Sequence, residues 1–153
     1  MPITQAAQGL GRVFDVLHDA SGNMVSMKNA NAISFLVKSS GAASLAIVAA
    51  KTFSGSTTTW TTANGFGQGA VFYQQAAVNG TVAWTKQTTT WTTNSVALAG
   101  TTGYTSVFTI YATQFADGFD YIQATGTNTT TCIALLHDLA VMRTPANLVK
   151  LGA

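Results

Sequence analysis

The chain carries two histidines, and both stand in the same tripeptide: Leu17-His18-Asp19 and Leu136-His137-Asp138. Two imidazoles and two carboxylates are a donor set that zinc accepts in a tetrahedron. Adjacent residues of a strand point to opposite faces, so neither pair can chelate one ion from within a strand. Both pairs would have to sit at bends and meet across the fold. Each is therefore expected to hydrogen-bond locally or across a subunit boundary, and no metal is expected. The remaining carboxylates are Asp15, Asp117 and Asp120, and there is no Glu. Glycoside hydrolysis needs two carboxylates poised across one bond, and Asp117, next to Gly118, already has a turn to make. No Gly-x-Ser-x-Gly elbow is present and no Ser stands in a strand-to-helix context. A Ser-His-Asp set can be assembled around His137, but such a search succeeds in almost any sequence. Gly65-Phe66-Gly67-Gln68-Gly69 lacks the Lys and the following helix of a phosphate loop, and reads as a flexible loop or bulge. Cys132, the single cysteine, lies between Thr131 and Ile133 and reads as a buried structural thiol. These residues predict no enzyme and no cofactor.

Composition narrows the class further. Charged residues make up 8% of the 153 positions, against roughly a quarter in an average soluble domain. The hydrophobic share is an ordinary 47%, so neutral polar residues replace the charge: 25 Thr and 10 Ser, with 14 Gly. Eight Phe, four Tyr and three Trp exclude a disordered chain, because that much apolar surface offsets chain entropy on burial. The net charge is +2, and the seven cations are scattered from Arg12 to Lys150. Counterion release needs cations clustered on one face, so nucleic acid is not an expected partner. The longest apolar-rich run, Ala42 to Ala50, falls far short of the roughly 20 residues of a membrane span. Met1-Pro2-Ile3-Thr4-Gln5 lacks the basic region and apolar core of a leader, so synthesis in a cytoplasm is expected, with no membrane partner.

The elements that must position any site read as β. Pro occurs only at positions 2 and 145, and Thr is abundant where β-branching favours strands. Ile33, Phe35 and Val37 alternate with Ser34 and Lys38, the period of a half-buried strand. Ser39-Ser40-Gly41 predicts a turn before a second strand through Leu45 and Ile47. Ala42 to Lys51 is Ala-rich enough to compete as a helix, but it has no charged face, and strand is preferred. Asn79-Gly80 predicts a hairpin between Val71-Phe72-Tyr73 and Val82-Ala83-Trp84. Asp117-Gly118 predicts a second, between Val107–Phe115 and Phe119–Ala124. Thr129 to Val141 has apolar residues on both faces and reads as a central strand. Thr-Thr-Thr-Trp-Thr-Thr occurs at 57–62 and again at 88–93, predicting two strands with one Trp anchor each. The copies do not extend outward, so no repeat fold follows. Eight to ten strands separated by turns predict an all-β fold, a single β-sandwich or jelly-roll-like domain over residues 15–143. Residues 1–14 and 144–153 lack a period and read as extended N- and C-terminal arms.

Asp117-Gly118-Phe119-Asp120-Tyr121-Ile122, with Leu135 through Leu148 (Leu-Leu-His-Asp-Leu-Ala-Val-Met-Arg-Thr-Pro-Ala-Asn-Leu), resembles the C-terminal part of small structural proteins of tailed bacteriophages. Gly9-Leu10-Gly11-Arg12-Val13 and the strand with Ile33, Phe35 and Val37 are compatible with the same group. The resemblance implies a virion protein, most plausibly a decoration (cement) protein outside an icosahedral head. Such proteins are β-rich, often trimeric, and staple neighbouring major capsid subunits with terminal arms. The expected partners are the major capsid protein and further copies of the chain itself, and the expected location is the capsid surface. Scarce charge agrees with this, since neutral polar surface is desolvated more cheaply than Lys or Glu. Candidate contacts are the cations Arg12, Arg143 and Lys150, with Asn147 and the apolar anchors Phe14 and Leu148. Phe14 reads equally well as part of the first strand. The competing class is a carbohydrate- or receptor-binding module of a phage fibre, with Trp60, Trp84 and Trp91 as stacking platforms. A tail-tube or minor head protein is a third reading.

Overall fold

Two long strands organise the molecule because their sequences alternate for longer than any others. In the computed structural model, which describes residues 14–17, 20–67, 72–76, 82–87, 95–98 and 104–139, β3 runs over Ala30–Ala50 and β9 over Tyr121–Leu139. They pair antiparallel from Ala30 opposite Leu139 to Ala50 opposite Tyr121, with an interruption between Ser39 and Ser44. The shorter strands are β1 (Phe14–Leu17), β2 (Met24–Ser26), β4 (Thr58–Thr59), β5 (Phe72–Gln75), β6 (Thr85–Gln87), β7 (Ser95–Leu98) and β8 (Thr105–Tyr111). One antiparallel sheet results, in the order β1-β9-β3-β8-β5-β6, with β2 added to β9 and β4 and β7 added to β3. The class is all-β.

The sheet folds over on itself between residues 39 and 44. Register with β9 shifts between Lys38 and Ser39 and again between Ser39 and Ser44. On the β9 side Asn128 takes φ of 55°, its amide donates to Ala42 O at 2.8 Å, and Ser40 Oγ donates to Asn128 O at 3.2 Å. A Cβ on Gly126 would run into the Thr129 side chain, so the tight bend needs glycine there. Distances show how far the fold closes. Ala32 and Ile47 would lie about 50 Å apart along a straight strand. Tyr111 sits opposite Ala32, and Trp60 donates its N–H to Ile47 O at 3.1 Å. Four residues, 112–115, lead from Tyr111 to Phe115, whose ring meets Trp60 with centroids 4.9 Å apart. Those four residues reach at most about 14 Å, so the two halves of β3 must face each other. The product is a sandwich made from one continuous sheet.

Alternation fills its interior. Ile33, Phe35 and Val37 from the first half of β3 join Leu45, Ile47 and Ala49 from the second in one buried cluster. Phe72 stacks on Phe108 at 4.7 Å, and Cys132 is buried in the same cluster. At one end Trp60 stacks on Phe66 at 4.6 Å, and Phe66 meets Phe119 at 5.0 Å.

Several expectations are corrected. Ser39-Ser40-Gly41 is a corner inside β3 rather than a turn between two strands, because β3 runs on over Ala30–Ala50 and pairs with the same strand, β9, before and after it. Phe119–Ala124 and Thr129–Val141 are likewise not separate strands: Tyr121–Leu139 is continuous. Asp117-Gly118 does make a turn, with Phe119 N–H donating to Ala116 O at 3.2 Å and Gly118 at φ 75°. It does not close a hairpin, since β3 lies between β8 and β9. The strand expected at 57–62 shrinks to Thr58–Thr59 and gives way to a 3-10 turn at Thr62–Asn64. Gly65-Phe66-Gly67 is no flexible loop in its first half. Phe66 is in the core, and Gly67 N–H donates to Gln114 O at 2.6 Å. β5 and β6 do pair antiparallel, Phe72 with Gln87, Tyr73 with Lys86 and Gln74 with Thr85, but the second strand is Thr85–Gln87 and not the expected Val82-Ala83-Trp84, and Asn79-Gly80 lies outside the described residues. Ala42 to Ala50 is strand, not helix.

Candidate functional site

Three features on the half of the sandwich built from β1, β9, β3, β8, β5 and β6 bear on function. The first is where the chain enters and leaves. Phe14 opens β1 opposite His137, and on the other side of β9 Leu139 lies opposite Ala30. Antiparallel pairing of the first and last strands therefore brings entry at Phe14 and exit at Leu139 to one end of the sheet, on neighbouring strands. Phe14 belongs to the first strand, the second of the two readings the sequence offered for it. Arg12, Arg143, Asn147, Leu148 and Lys150 lie outside the described residues, as do His18 and Trp91.

The second feature is a polar chain at that same end. Thr109 Oγ1 is 2.8 Å from Ser34 Oγ, and Ser34 Oγ is 2.9 Å from His137 Nε2. His137 Nδ1 lies 3.5 Å from Asp138 Oδ2. Two adjacent strand residues should point apart, but Asp138 adopts φ of 53°, a left-handed conformation that Asp tolerates. That twist brings its carboxylate back to its neighbour's ring. Ser34 Oγ thus stands within hydrogen-bond distance of both the Thr109 hydroxyl and His137 Nε2. The order of groups is the one that activates nucleophiles. Ser34, however, stands in mid-strand, its backbone enclosed between β8 and β9, where the ladder takes up the N–H groups an oxyanion would need. The chain acts here as a cross-link of three strands. Local pairing of His137 with Asp138 is the contact expected from sequence, while its extension to Ser34 and Thr109 was missed. Of the other tripeptide only Leu17 is described, and it pairs with Ala134. Among the described residues no group of three metal-binding side chains occurs.

The third feature is the outer face, which carries the positions between the inward-facing ones. Tyr73, Val107, Leu36 and Ile133 are successive cross-strand partners across β5, β8, β3 and β9. The next rows are Thr109, Ser34 and Leu135, then Tyr111, Ala32 and His137. Tyr73 is 45% exposed and Tyr111 52%, while Leu36, Val107, Ile133 and Leu135 are partly buried. Beside this face, Trp84 is 46% and Val82 41% exposed, and Gln75 Nε2 donates to Val82 O at 2.6 Å. Sequence reasoning singled out Trp84 but not the row. Its signal was legible in Cys132-Ile133-Ala134-Leu135-Leu136, which is apolar at both parities. Trp60 is corrected as a stacking platform: it is 2% exposed, closed in by Phe66 and Phe115. No helix among the described residues is long and apolar enough to cross a membrane.

Comparison of the chain with known protein families, with curated proteins and with solved structures finds no match. Function is therefore argued from geometry and composition.

Proposed function

We propose that this chain is a non-enzymatic virion structural protein that binds the outside of an icosahedral phage head and stabilises it by bridging capsid subunits. The observation that carries the reading is the common corner of chain entry and exit, Phe14 beside His137 and Leu139 beside Ala30. The 13 residues before Phe14 and the 14 after Leu139 are tethered side by side to a rigid sandwich. Thirteen extended residues reach about 45 Å, enough to cross from one subunit onto the next. Phe14 stands at this corner, and Arg12, Arg143, Asn147, Leu148 and Lys150 lie in the sequence segments that precede and follow it. Many weak contacts repeated around a closed shell add as avidity, and a nearly uncharged surface makes each contact cheap to desolvate.

The test is co-sedimentation with empty phage shells and the melting temperature of those shells. Full-length protein is expected to bind and to raise it. Variants lacking residues 1–13 or 140–153 are expected to keep the β-sheet circular dichroism and lose binding. A full-length chain that ignores shells overturns the reading. Exposure of Trp84 beside Tyr73 favours one competitor, a glycan-binding fibre module, since flat aromatic faces stack on sugar rings. A glycan panel read by Trp fluorescence, with Trp84→Ala as control, separates the two.

A further inference from the structure

Fourteen residues follow Leu139, the end of β9, so the backbone just before it sets the direction in which that tail leaves the sheet. Besides the corner residue Asn128, Asp138 is the one described residue of β9 with a left-handed backbone, at φ 53°. Asp tolerates that conformation without preferring it, so a contact must hold it there. The contact is with the ring of His137, whose far edge is already fixed. His137 Nε2 lies 2.9 Å from Ser34 Oγ, and Ser34 Oγ lies 2.8 Å from Thr109 Oγ1. Nδ1, on the near edge, lies 3.5 Å from Asp138 Oδ2. We propose that His137 and Asp138 form a proton-operated latch at the point where the C-terminal tail leaves the sheet. A proton gained on the ring ties Asp138 down and fixes the exit, and its loss frees the exit.

The geometry gives the latch its sense. A separation of 3.5 Å is an ion-pair distance and too long for a strong hydrogen bond, so charge on the ring decides how firmly the pair holds. Imidazolium carries a proton on both nitrogens. Nδ1–H then faces the carboxylate, Nε2–H donates to Ser34 Oγ, and the Ser34 hydroxyl is left to donate to Thr109. The neutral ring donates from one nitrogen only and offers the carboxylate no charge. Since β3 and β8 hold the ring through Ser34 and Thr109, the part that moves is Asp138 and the chain beyond it. The titratable groups on the strands around the ring are Asp138, Asp15 in β1 opposite Leu136, and Tyr111 in β8 opposite Ala32. Phe14 and Ala32, the partners of His137 in the ladder, carry no charge, and no cation stands among these residues. Imidazole is the side chain whose ordinary range lies between about pH 5 and pH 8, so that is the range in which the latch works.

The latch goes beyond head binding and is tested without shells. A nitroxide on Ala140→Cys reports the exit directly, because Cys132 is buried and escapes labelling. With His18→Gln throughout, His137 is the one imidazole left in the chain. The ratio of immobile to mobile label is expected to fall about two- to five-fold from about pH 5 to about pH 8, the size expected of a partly exposed ion pair. Asp138→Asn and His137→Gln are each expected to abolish that pH dependence while keeping the β-sheet circular dichroism. Asp138→Gly, which permits the left-handed backbone but lacks the carboxylate, is expected to leave the label mobile at every pH. A label indifferent to pH in the otherwise native chain overturns the latch, and so does an Asp138→Asn chain that titrates as the native one does. Should His137→Gln fail to fold, Asp138→Asn still decides, since its side chain is 67% exposed. A latch that titrates in a chain that ignores shells defeats head binding alone.

Discussion

The Trp60 indole is fixed on two sides by rings, Phe66 stacked at 4.6 Å and Phe115 edge-on at 4.9 Å. It closes the end of the sandwich where the second half of β3 meets the segment after β8. Trp60→Ala is expected to cost about 3–5 kcal/mol, read as a lower denaturant midpoint with unchanged slope. In a Trp91→Phe background, Trp60 should also emit at short wavelength and resist iodide, while Trp84 is quenched; adding Trp60→Phe or Trp84→Phe assigns the two signals. Gly67 makes a sharper case, because a Cβ there would stand 2.8 Å from Gln114 Cβ and 2.9 Å from its Cα. The backbone of one segment must give, so Gly67→Ala is expected to lose about 1–3 kcal/mol. A chemical melt at wild-type midpoint would show that the loop yields freely. Trp60 reads from sequence as an anchor and is one, 2% exposed in the core, but its ring partners and the close approach at Gly67 could not be read there. The Thr-Trp-Thr context gave Trp60 a strand-like period, and the ring partners that bury it come from positions far along the chain. His137 and Asp138 were readable as a local pair, whereas Ser34, 103 positions from His137, becomes a neighbour only through β3–β9 register.

Strand alternation at Ile33, Phe35 and Val37 made the β class and the core face legible, since burial follows parity directly. Connectivity was less legible. Ser39-Ser40-Gly41 and Asp117-Gly118 both have turn chemistry, and that chemistry cannot say whether the chain reverses or merely bends. At the first, β3 is paired with β9 and β8 as far as Lys38 and with β9 and β7 again from Ser44, so the chain bends between two paired stretches of one strand. At the second, the place beside β9 is already filled by β3. Asn128 is where the corner can be tested. Its φ of 55° and its bond to Ala42 O combine two demands. Asn128→Gly keeps the conformation and loses the bond, so a loss of about 1 kcal/mol is expected. Asn128→Val loses both and puts a β-branched residue in the left-handed region, adding about 1–3 kcal/mol. Equal melting of the two variants would mean that the corner does not depend on that backbone conformation.

At the scale of the whole molecule, the decisive fact is that β3 and β9 each run through both layers. In a sandwich whose layers are separate sheets, one layer can loosen while the other persists. Here Ile33 and Ile47 share one strand, Leu136 and Ile122 another, and all four lie in one buried cluster. Opening the layer built on Leu45–Ala49 removes the surface on which Ile33–Val37 rest, and the corner at Asn128 transmits the loss in both directions. Unfolding is therefore expected to be a single all-or-none transition. Far-ultraviolet dichroism, which reports strands, and fluorescence of Trp60, which reports one end of the core, should give the same midpoint. Amides of 33–37, 45–49, 122–124 and 132–136 should exchange only through that global opening, with one common free energy. Two groups of amides, divided at residues 39–44 and 126–129 and exchanging with different free energies, would mean that the corner is a hinge between independent layers. A rigid sandwich is also what a bridging role requires, because tails tethered to one corner can hold two neighbours in register only if that corner does not yield.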